Sequence, residues 1–351
     1  MKPIFAEAIV AWQKTHGRHD LPWQNTRDPY KVWLSEIMLQ QTQVVTVKDY
    51  FARFLAAHPT VASLAAASLD EVLGLWSGLG YYSRARNMHR CAQDVVALHG
   101  GAFPQNAIAL QTLPGIGPST AAAIASLCFS ERVAILDGNV KRVLTRFLGF
   151  EADLAKSANE KALWRIAAEV LPNPKNKADL WTAMPHYTQG VMDLGATLCT
   201  TRKPNCLLCP VQAQCAASAQ GQPERYPVKT RTLKRSSESL WLLWAKRPDG
   251  AVYLEQRPTP GVWAGLYCLP VFASFEALAV ALPPDEVSKL VEQTVFKHVL
   301  THKDLHLHPV GLHVAAKVSS LSIQGKWFDP QAWSKLGLPA PVRKLLESVT
   351  V

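Results

Sequence analysis

A mainly α-helical N-terminal domain closed by a four-cysteine loop, followed by a smaller α+β domain, is the fold class predicted for this chain of 351 residues. Three observations point there. Apolar residues at helical spacing, interrupted by Gly and Pro, run to about residue 198; four of the seven cysteines crowd into residues 199–215; and β-rich runs begin only after residue 238. The length is about twice a common single domain, enough for two cores. A composition 48% apolar and 18% charged excludes a mainly disordered chain. No run approaches the roughly 20 apolar residues of a membrane helix. The opening Met1-Lys2-Pro3-Ile4-Phe5-Ala6-Glu7 meets an acid before any apolar signal core, so export is not expected. Lys and Arg outnumber Asp and Glu by 37 to 27, a formal charge of +10 that favours a polyanionic partner.

The helical part starts with Asp28-Pro29, an N-cap followed by proline at the first helical position, and Val32, Trp33, Ile37, Leu39 and Val44 extend that helix to about Val45. Val61–Trp76, Ser83–His99, Ile108–Leu113 and Ser119–Phe129 follow at helical spacing. Residues 216–238, poor in periodicity, read as a linker whose basic run (Arg225, Lys229, Arg231, Lys234, Arg235) is a solvated stretch, with a DNA-backbone contact the less favoured reading. Beyond it, Leu240–Trp244 and Ala251–Leu254 flank a Pro248-Asp249-Gly250 hairpin turn, Leu305–His308 is a further strand, and helices are expected at about 274–282 and 341–348. The expected division is therefore 1–215 helical, with a helical hairpin at about 106–130 and a cysteine loop at 199–215; 216–238 linker; and 239–351 α+β.

Cys199, Cys206, Cys209 and Cys215 are spaced C-x6-C-x2-C-x5-C. Structural zinc usually takes two C-x2-C knuckles set well apart, whereas one pair with two outlying cysteines in a short loop favours a 4Fe–4S cluster. Arg202 and Lys203 add positive charge, which suits a loop shaped to meet phosphate. Cys91, Cys128 and Cys268 lie in apolar settings and read as small buried side chains. Leu113-Pro114-Gly115-Ile116-Gly117-Pro118-Ser119-Thr120 is the second signal. Gly115 and Gly117 let backbone approach a ligand, and the next helix offers free N–H groups to a phosphate. Alone it is equally a plain helix–helix turn; the Ala121-Ala122-Ala123 helix and Val133-Ala134-Ile135-Leu136-Asp137-Gly138-Asn139 after it make it specific.

A helix-hairpin-helix, an aspartate about 20 residues beyond, and this cysteine spacing resemble the endonuclease III superfamily of base-excision DNA glycosylases. Leu21-Pro22-Trp23, Pro29 through Gln43, Gly78 through Asn87, and Leu136 through Val143 resemble its MutY-type adenine DNA glycosylase branch. The resemblance implies hydrolysis of the N-glycosidic bond of adenine mispaired with 8-oxoguanine or guanine, with the base rotated out of the duplex. It makes Glu36 the general acid toward adenine N7, and the helix neighbours Val32, Trp33 and Ile37 supply an apolar setting that raises its pKa. It makes Asp137 the carboxylate that stabilises the cationic sugar (a helix N-cap on its own pattern) and Asn139 a hydrogen-bonding partner. Ser119 occupies the position of the lysine used by strand-cleaving members, which implies a monofunctional enzyme without strong lyase activity. Gln24 and Gln189 are implied base contacts, Gln41 and Tyr81 wedge residues in the stack, and Arg84 and Arg86 phosphate or structural contacts.

The C-terminal part resembles that branch's 8-oxoguanine-recognition domain of Nudix fold, through Arg257-Pro258 and Gly261 to Pro270. Residues 270–282 hold a lone Glu276, too few carboxylates for a metal-bound diphosphate, so pyrophosphatase activity is not expected. Leu300-Thr301-His302 aligns with the branch's Phe-Ser-His recognition loop: Thr301 keeps the hydroxyl and His302 the imidazole, while leucine replaces the aromatic. His298, His306 and His308 lack acidic or cysteine partners and read as ordinary surface or core histidines. The expected partner is double-stranded DNA bearing A:8-oxoG or A:G, bound by a monomer without membrane association in the bacterial cytoplasm. The alternatives are a related glycosylase taking another mismatched base, a nucleotide-pool hydrolase, and a non-catalytic cluster-bearing DNA binder.

Overall fold

The computed structural model describes residues 2–173, 177–230, 234–315, 321 and 323–348; Arg231 of the basic run lies outside them. The chain divides into two compact units, residues 1–65 with 90–232 and residues 66–89 with 233–351. Among the described residues, no helix is long and apolar enough to cross a membrane.

The helices are α1 (Lys2–His16), α2 (Pro29–Leu39), α3 (Val44–Ala57), α4 (Val61–Ala66), α5 (Leu69–Trp76), α6 (Ser83–His99), α7 (Ala107–Leu110), α8 (Pro118–Phe129), α9 (Gly138–Leu148), α10 (Ser157–Glu169), α11 (Lys177–Thr197) and α12 (Ala216–Ala219). Asp28 caps α2 as expected, its Oδ1 accepting from the Tyr30 N–H at 2.9 Å. The helix stops at Leu39 rather than running to Val45, because Gln41 takes a left-handed backbone (φ 58°) that ends one helix before Gln43 starts the next. Val61–Trp76 likewise splits in two: Ser68 Oγ accepts from the Glu71 N–H and so begins a new helix. Ser83–His99 forms as read, and Ile108–Leu113 shrinks to the single turn of α7.

The core of the first unit gathers Phe5 and Ile9 of α1, Ala122 and Ala123 of α8, Val140, Val143 and Phe147 of α9, and Tyr187, Val191 and Leu194 of α11. Small residues set the approach distances. A Cβ on Gly195 of α11 would stand 2.7 Å from Asn139 Cβ and 3.1 Å from its Cα, and one on Gly190 would stand 2.8 Å from Ile9 Cγ2. Pro185 inside α11 removes the N–H that would bond the Trp181 carbonyl. That carbonyl accepts instead from Ser130 Oγ at 2.8 Å and Arg27 Nη2 at 3.0 Å, so it keeps hydrogen-bond partners.

In the second unit a mixed sheet contains β1 (Ser236–Lys246), β2 (Val252–Gln256), β3 (Tyr267–Cys268), β4 (Val271–Phe272), β5 (Val291–Glu292), β6 (Phe296–Val299), β7 (Lys303–His313) and β8 (Lys326–Phe328), with path order β3-β2-β1-β7-β5. β1 and β7 pair in parallel from Ser236↔Lys303 to Lys246↔His313, so β1 starts inside the stretch read as linker. Alternation buries both faces. Leu242, Trp244, Leu305 and Leu307 meet Trp333 and Val342, while Leu243, Ala245, Val310 and Leu312 meet Leu278. These last contacts come from α13 (Phe275–Val280) on one side and α15 (Pro330–Trp333) and α16 (Ala340–Glu347) on the other; α14 is Pro284–Val287.

The close approach at Gly195 gives a direct test. Gly195→Ala is expected to destabilise the chain by about 1–3 kcal/mol, the usual cost of overpacking. Urea unfolding measures it, and an unchanged midpoint would mean that α9 and α11 separate freely.

Candidate active site and cysteine loop

Helices α2 and α9 bring two carboxyl groups to one cavity of about 680 Å³ in the first unit, lined by Glu36, Asp137, Asn139, Ser119, Gln41 and Gln189 among others. The two capping positions do this work. Asp28 fixes where α2 starts, so Val32, Glu36 and Gln40, one turn apart, share the cavity face while Trp33, Leu34, Ile37 and Met38 are buried. Asp137 caps α9, its Oδ1 accepting from the Val140 N–H at 2.7 Å, which points the carboxyl out of the helix start. Burial, and then the charge of Asp137, push the Glu36 carboxyl up to about 7. Burial also raises Asp137, but the Val140 and Asn139 N–H groups and the Arg142 and Lys141 charges oppose it. Two carboxyls thus differ in kind: one lacks compensation, the other is cradled by donors.

Around them, Asn139 Oδ1 accepts from Arg142 Nη2 at 2.8 Å, and the same guanidinium donates to the carbonyls of Gly195 at 2.6 Å and Cys199 at 2.7 Å. Ser119 Oγ accepts from the Leu136 N–H at 3.3 Å, tying the start of α8 to the segment before Asp137. Of the hairpin glycines, only Gly115 needs its freedom for backbone reasons (φ 77°). Gly117 is extended, caps α8, and faces open space where a Cβ would be. Gln41 lines the cavity on its left-handed backbone. An adjoining cavity of about 400 Å³ shares Arg18, Trp23, Val32, Leu127 and Gln189 with the first and adds Gln24, whose two amide atoms are buried without a partner. Thr120, the last residue of the hairpin motif, also lines the site; Arg18 lines it without having been singled out in the sequence, three residues before the Leu21-Pro22-Trp23 motif.

Tyr81, Thr301 and His302 belong to the second unit. Tyr81 sits at φ 49° between Gly80 and α6, its side chain 44% exposed, and its hydroxyl is hydrogen-bonded to Thr301 Oγ1. Arg84 and Arg86 both make hydrogen bonds within the second unit. Arg84 is buried, donates to the Leu79 and Gly80 carbonyls and lies over the Trp76 ring, and Arg86 donates to the Ala264 carbonyl at 2.6 Å. Leu300 packs on the apolar cluster that includes Trp333, and His302 is exposed. His308 stacks on Trp241 at 4.2 Å.

The thiols of Cys199, Cys206, Cys209 and Cys215 line one small cavity with Arg146, Asn205 and Gln212. Burial and the neighbouring cysteines push Cys209 up to about 11, against an opposing Val211 N–H; Cys215 is raised by burial and receives the Ala217 and Ser218 N–H groups. Among the described residues, no three His, Cys, Asp or Glu side chains are gathered closely enough for a single metal ion. Arg146 of α9, 2% exposed, holds the loop through the Thr200 and Thr201 carbonyls at 2.7 and 3.1 Å and Cys199 Sγ at 3.4 Å.

Comparison with known proteins places the chain in company that fits this geometry. A family model for the HhH-GPD superfamily of base-excision DNA repair proteins matches residues 34–169, and one for the NUDIX domain matches residues 241–348. An adenine DNA glycosylase of Buchnera aphidicola subsp. Acyrthosiphon pisum is 35% identical over 99% of this chain and 98% of its own. The adenine DNA glycosylase of Homo sapiens is 40% identical over 63% of this chain and 40% of its own. Among solved structures, a thermostable thymine-DNA glycosylase superposes with TM-score 0.53 and 29% identity, covering 62% of this chain and 97% of its own. A non-covalent endonuclease III–DNA complex gives TM-score 0.51 at 19% identity over 63% and 98%, a likeness of fold.

The raised Glu36 has a consequence for stability. A carboxyl whose folded value, about 7, exceeds its unfolded value binds more protons in the folded state. Its penalty is therefore absent below the unfolded value and grows as pH rises to about 7. Glu36→Gln is expected to be nearly neutral at pH 4 and stabilising at pH 8, by an amount on the order of 3 kcal/mol at most. Urea midpoints at both pH values measure it; an equal effect at both would show that Glu36 is solvated.

Proposed function

The chain belongs to the adenine DNA glycosylase family of base-excision repair enzymes, and from that membership we propose that it removes adenine opposite 8-oxoguanine or guanine as a monofunctional hydrolase, with Glu36 as acid and Asp137 as stabilising carboxylate. The observation that carries this reading is the pair of carboxyls sharing one cavity, one of them pushed up to about 7 by burial. A glycosidic bond breaks when its leaving group is protonated and the sugar cation is compensated, two tasks that need carboxyls of opposite protonation. Glu36 holds its proton near neutral pH and passes it to adenine N7. Asp137, whose carboxyl burial raises and the Val140 and Asn139 N–H groups and the Arg142 and Lys141 charges pull back, is the carboxylate beside the sugar and orients water. Because the bond is inaccessible within stacked DNA, adenine enters the cavity as a flipped base. The unpartnered Gln24 amide and Gln189 give its polar edge the partners that burial requires.

Ser119 offers an alcohol where a Schiff base would need an amine, so the product is an intact strand with an abasic site. The exposed ring of Tyr81 suits stacking in the gap, and its bond to Thr301 joins the wedge to the recognition loop, where Thr301 and His302 read 8-oxoguanine. The four cysteine thiols in one cavity suit a 4Fe–4S cluster, whose bridging sulfides let the thiolates stand farther apart than around one zinc ion. Bound there, the cluster supplies a cross-link of the loop. Arg142 and Arg146 connect that loop to the helix that carries Asp137 and Asn139.

A single-turnover assay on duplex with one adenine opposite 8-oxoguanine tests the chemistry. Wild type is expected to give strand breaks only after alkali, and Glu36→Gln to be slower by about 100-fold or more, as for loss of a general acid. Breaks without alkali would overturn the monofunctional reading, and release of thymine in place of adenine the assignment of substrate. Iron and sulfide analysis checks the loop: about four of each per chain are expected in wild type, falling sharply in Cys206→Ser. One zinc per chain in their place would refute the cluster.

A further inference from the structure

Asp193 is fully buried, and the chemistry above makes no use of it. It lies one turn after Gln189 on α11, accepts three hydrogen bonds and forms an ion pair with Arg18. Oδ1 takes them from Arg18 Nε at 2.7 Å and Gln189 Nε2 at 2.9 Å, and Oδ2 from the Arg18 backbone N–H at 3.0 Å, while Arg18 Nη2 stands 2.6 Å from Oδ1 as the ion pair. Burying such a pair carries a desolvation penalty that good geometry only partly offsets, which calls for a reason beyond stability. Its geometry supplies one. An amide side chain has two faces of nearly the same shape and opposite hydrogen-bonding sense. A carboxylate beside a guanidinium only accepts, so Gln189 must turn its NH₂ toward Asp193. Its carbonyl oxygen is then the acceptor it presents, and Gln189 lines both cavities.

We propose that Asp193, with Arg18 as its counter-ion, is a positioning residue that locks the Gln189 amide as an acceptor, and that this selects a base bearing an exocyclic amine over one bearing an oxo group at the same place. The inference rests on the reading that this cavity takes adenine. A 6-amino group donates to the Gln189 oxygen; a 6-oxo group sets lone pair against lone pair, and a site built for a hydrogen bond rejects a base that cannot make it.

The test compares single-turnover rates for adenine and for hypoxanthine, its 6-oxo counterpart, opposite 8-oxoguanine. In Asp193→Asn the new amide both donates and accepts, so Gln189 is free to turn. The adenine-to-hypoxanthine rate ratio is expected to fall roughly tenfold or more. Gln189→Leu should lower the ratio by itself, and adding Asp193→Asn to it should change the ratio no further. Equal slowing of both bases by Asp193→Asn, or an undiminished effect of it in the Gln189→Leu background, would reduce Asp193 to a structural residue. Asp193→Asn leaves Arg18 without its counter-charge, so circular dichroism and affinity for an abasic-site duplex accompany each variant. If it fails to fold, Gln189→Glu and Gln189→Met decide. The first keeps an acceptor and should keep the preference for adenine; the second has none and should lose it, and the reverse order overturns the proposal. A wild type that releases no adenine refutes the underlying substrate reading instead, so the two failures stay distinct.

Discussion

Helix α9 can lie against α11 only because Gly195 has no side chain to clear, and the site depends on that contact. With the helices this close, the first turn of α9 delivers Asp137 and Asn139 to the cavity that Glu36 enters from α2. One turn on, Arg142 bridges Asn139, the Gly195 carbonyl and the cysteine loop, and a further turn on, Arg146 grips the loop again. A single helix therefore carries a carboxyl at its start and the tether of the thiol loop along its length. Displacing α9 by the radius of a methyl group would disturb both at once.

Burial is used in three electrostatic ways in this unit. Arg146 and Asp193 are buried charges whose hydrogen-bonding groups are matched by carbonyls, a sulfur, a guanidinium or an amide, the condition under which a charge tolerates the interior. Asp137 is partly compensated by the N–H groups of its own helix. Glu36 has no such compensation, and its carboxyl responds by holding its proton to about pH 7. The two neighbouring acids thus differ in how far their burial is compensated, with no difference in residue chemistry beyond one methylene.

Backbone strain recurs in two of the loops that carry sequence motifs. Gln41 and Tyr81, from separate motifs and separate units, both adopt left-handed backbone that non-glycine residues avoid. In each case it ends or precedes a helix and leaves the side chain exposed. Strain of this kind survives only where the surroundings enforce it. At Tyr81 the enforcers are identifiable: Trp76 Nε1 and Arg84 both donate to the Gly80 carbonyl, and Thr301 bonds the hydroxyl.

Much of this was legible in the residues themselves. The caps Asp28 and Asp137, the Gly115 turn, the spacing of four cysteines, and the alternation along β1 and β7 are local facts, set by dihedral preference, hydrogen bonding within a few residues, and period. They were sufficient for the fold class and for the two carboxyls as candidates. Helix breaks at Gln41 and Ser68 were missed because apolar spacing continues across them, while the interruption comes from backbone geometry at one residue. Asp193 stood in plain view, an acid inside Gly190-Val191-Met192-Asp193-Leu194-Gly195, yet its partner Arg18 is 175 residues away along the chain. Periodicity within one helix carries no information about that distance. Which charge meets which, how far Glu36 is desolvated, and which way an amide faces depend on packing between remote segments, and only the tertiary structure decided them.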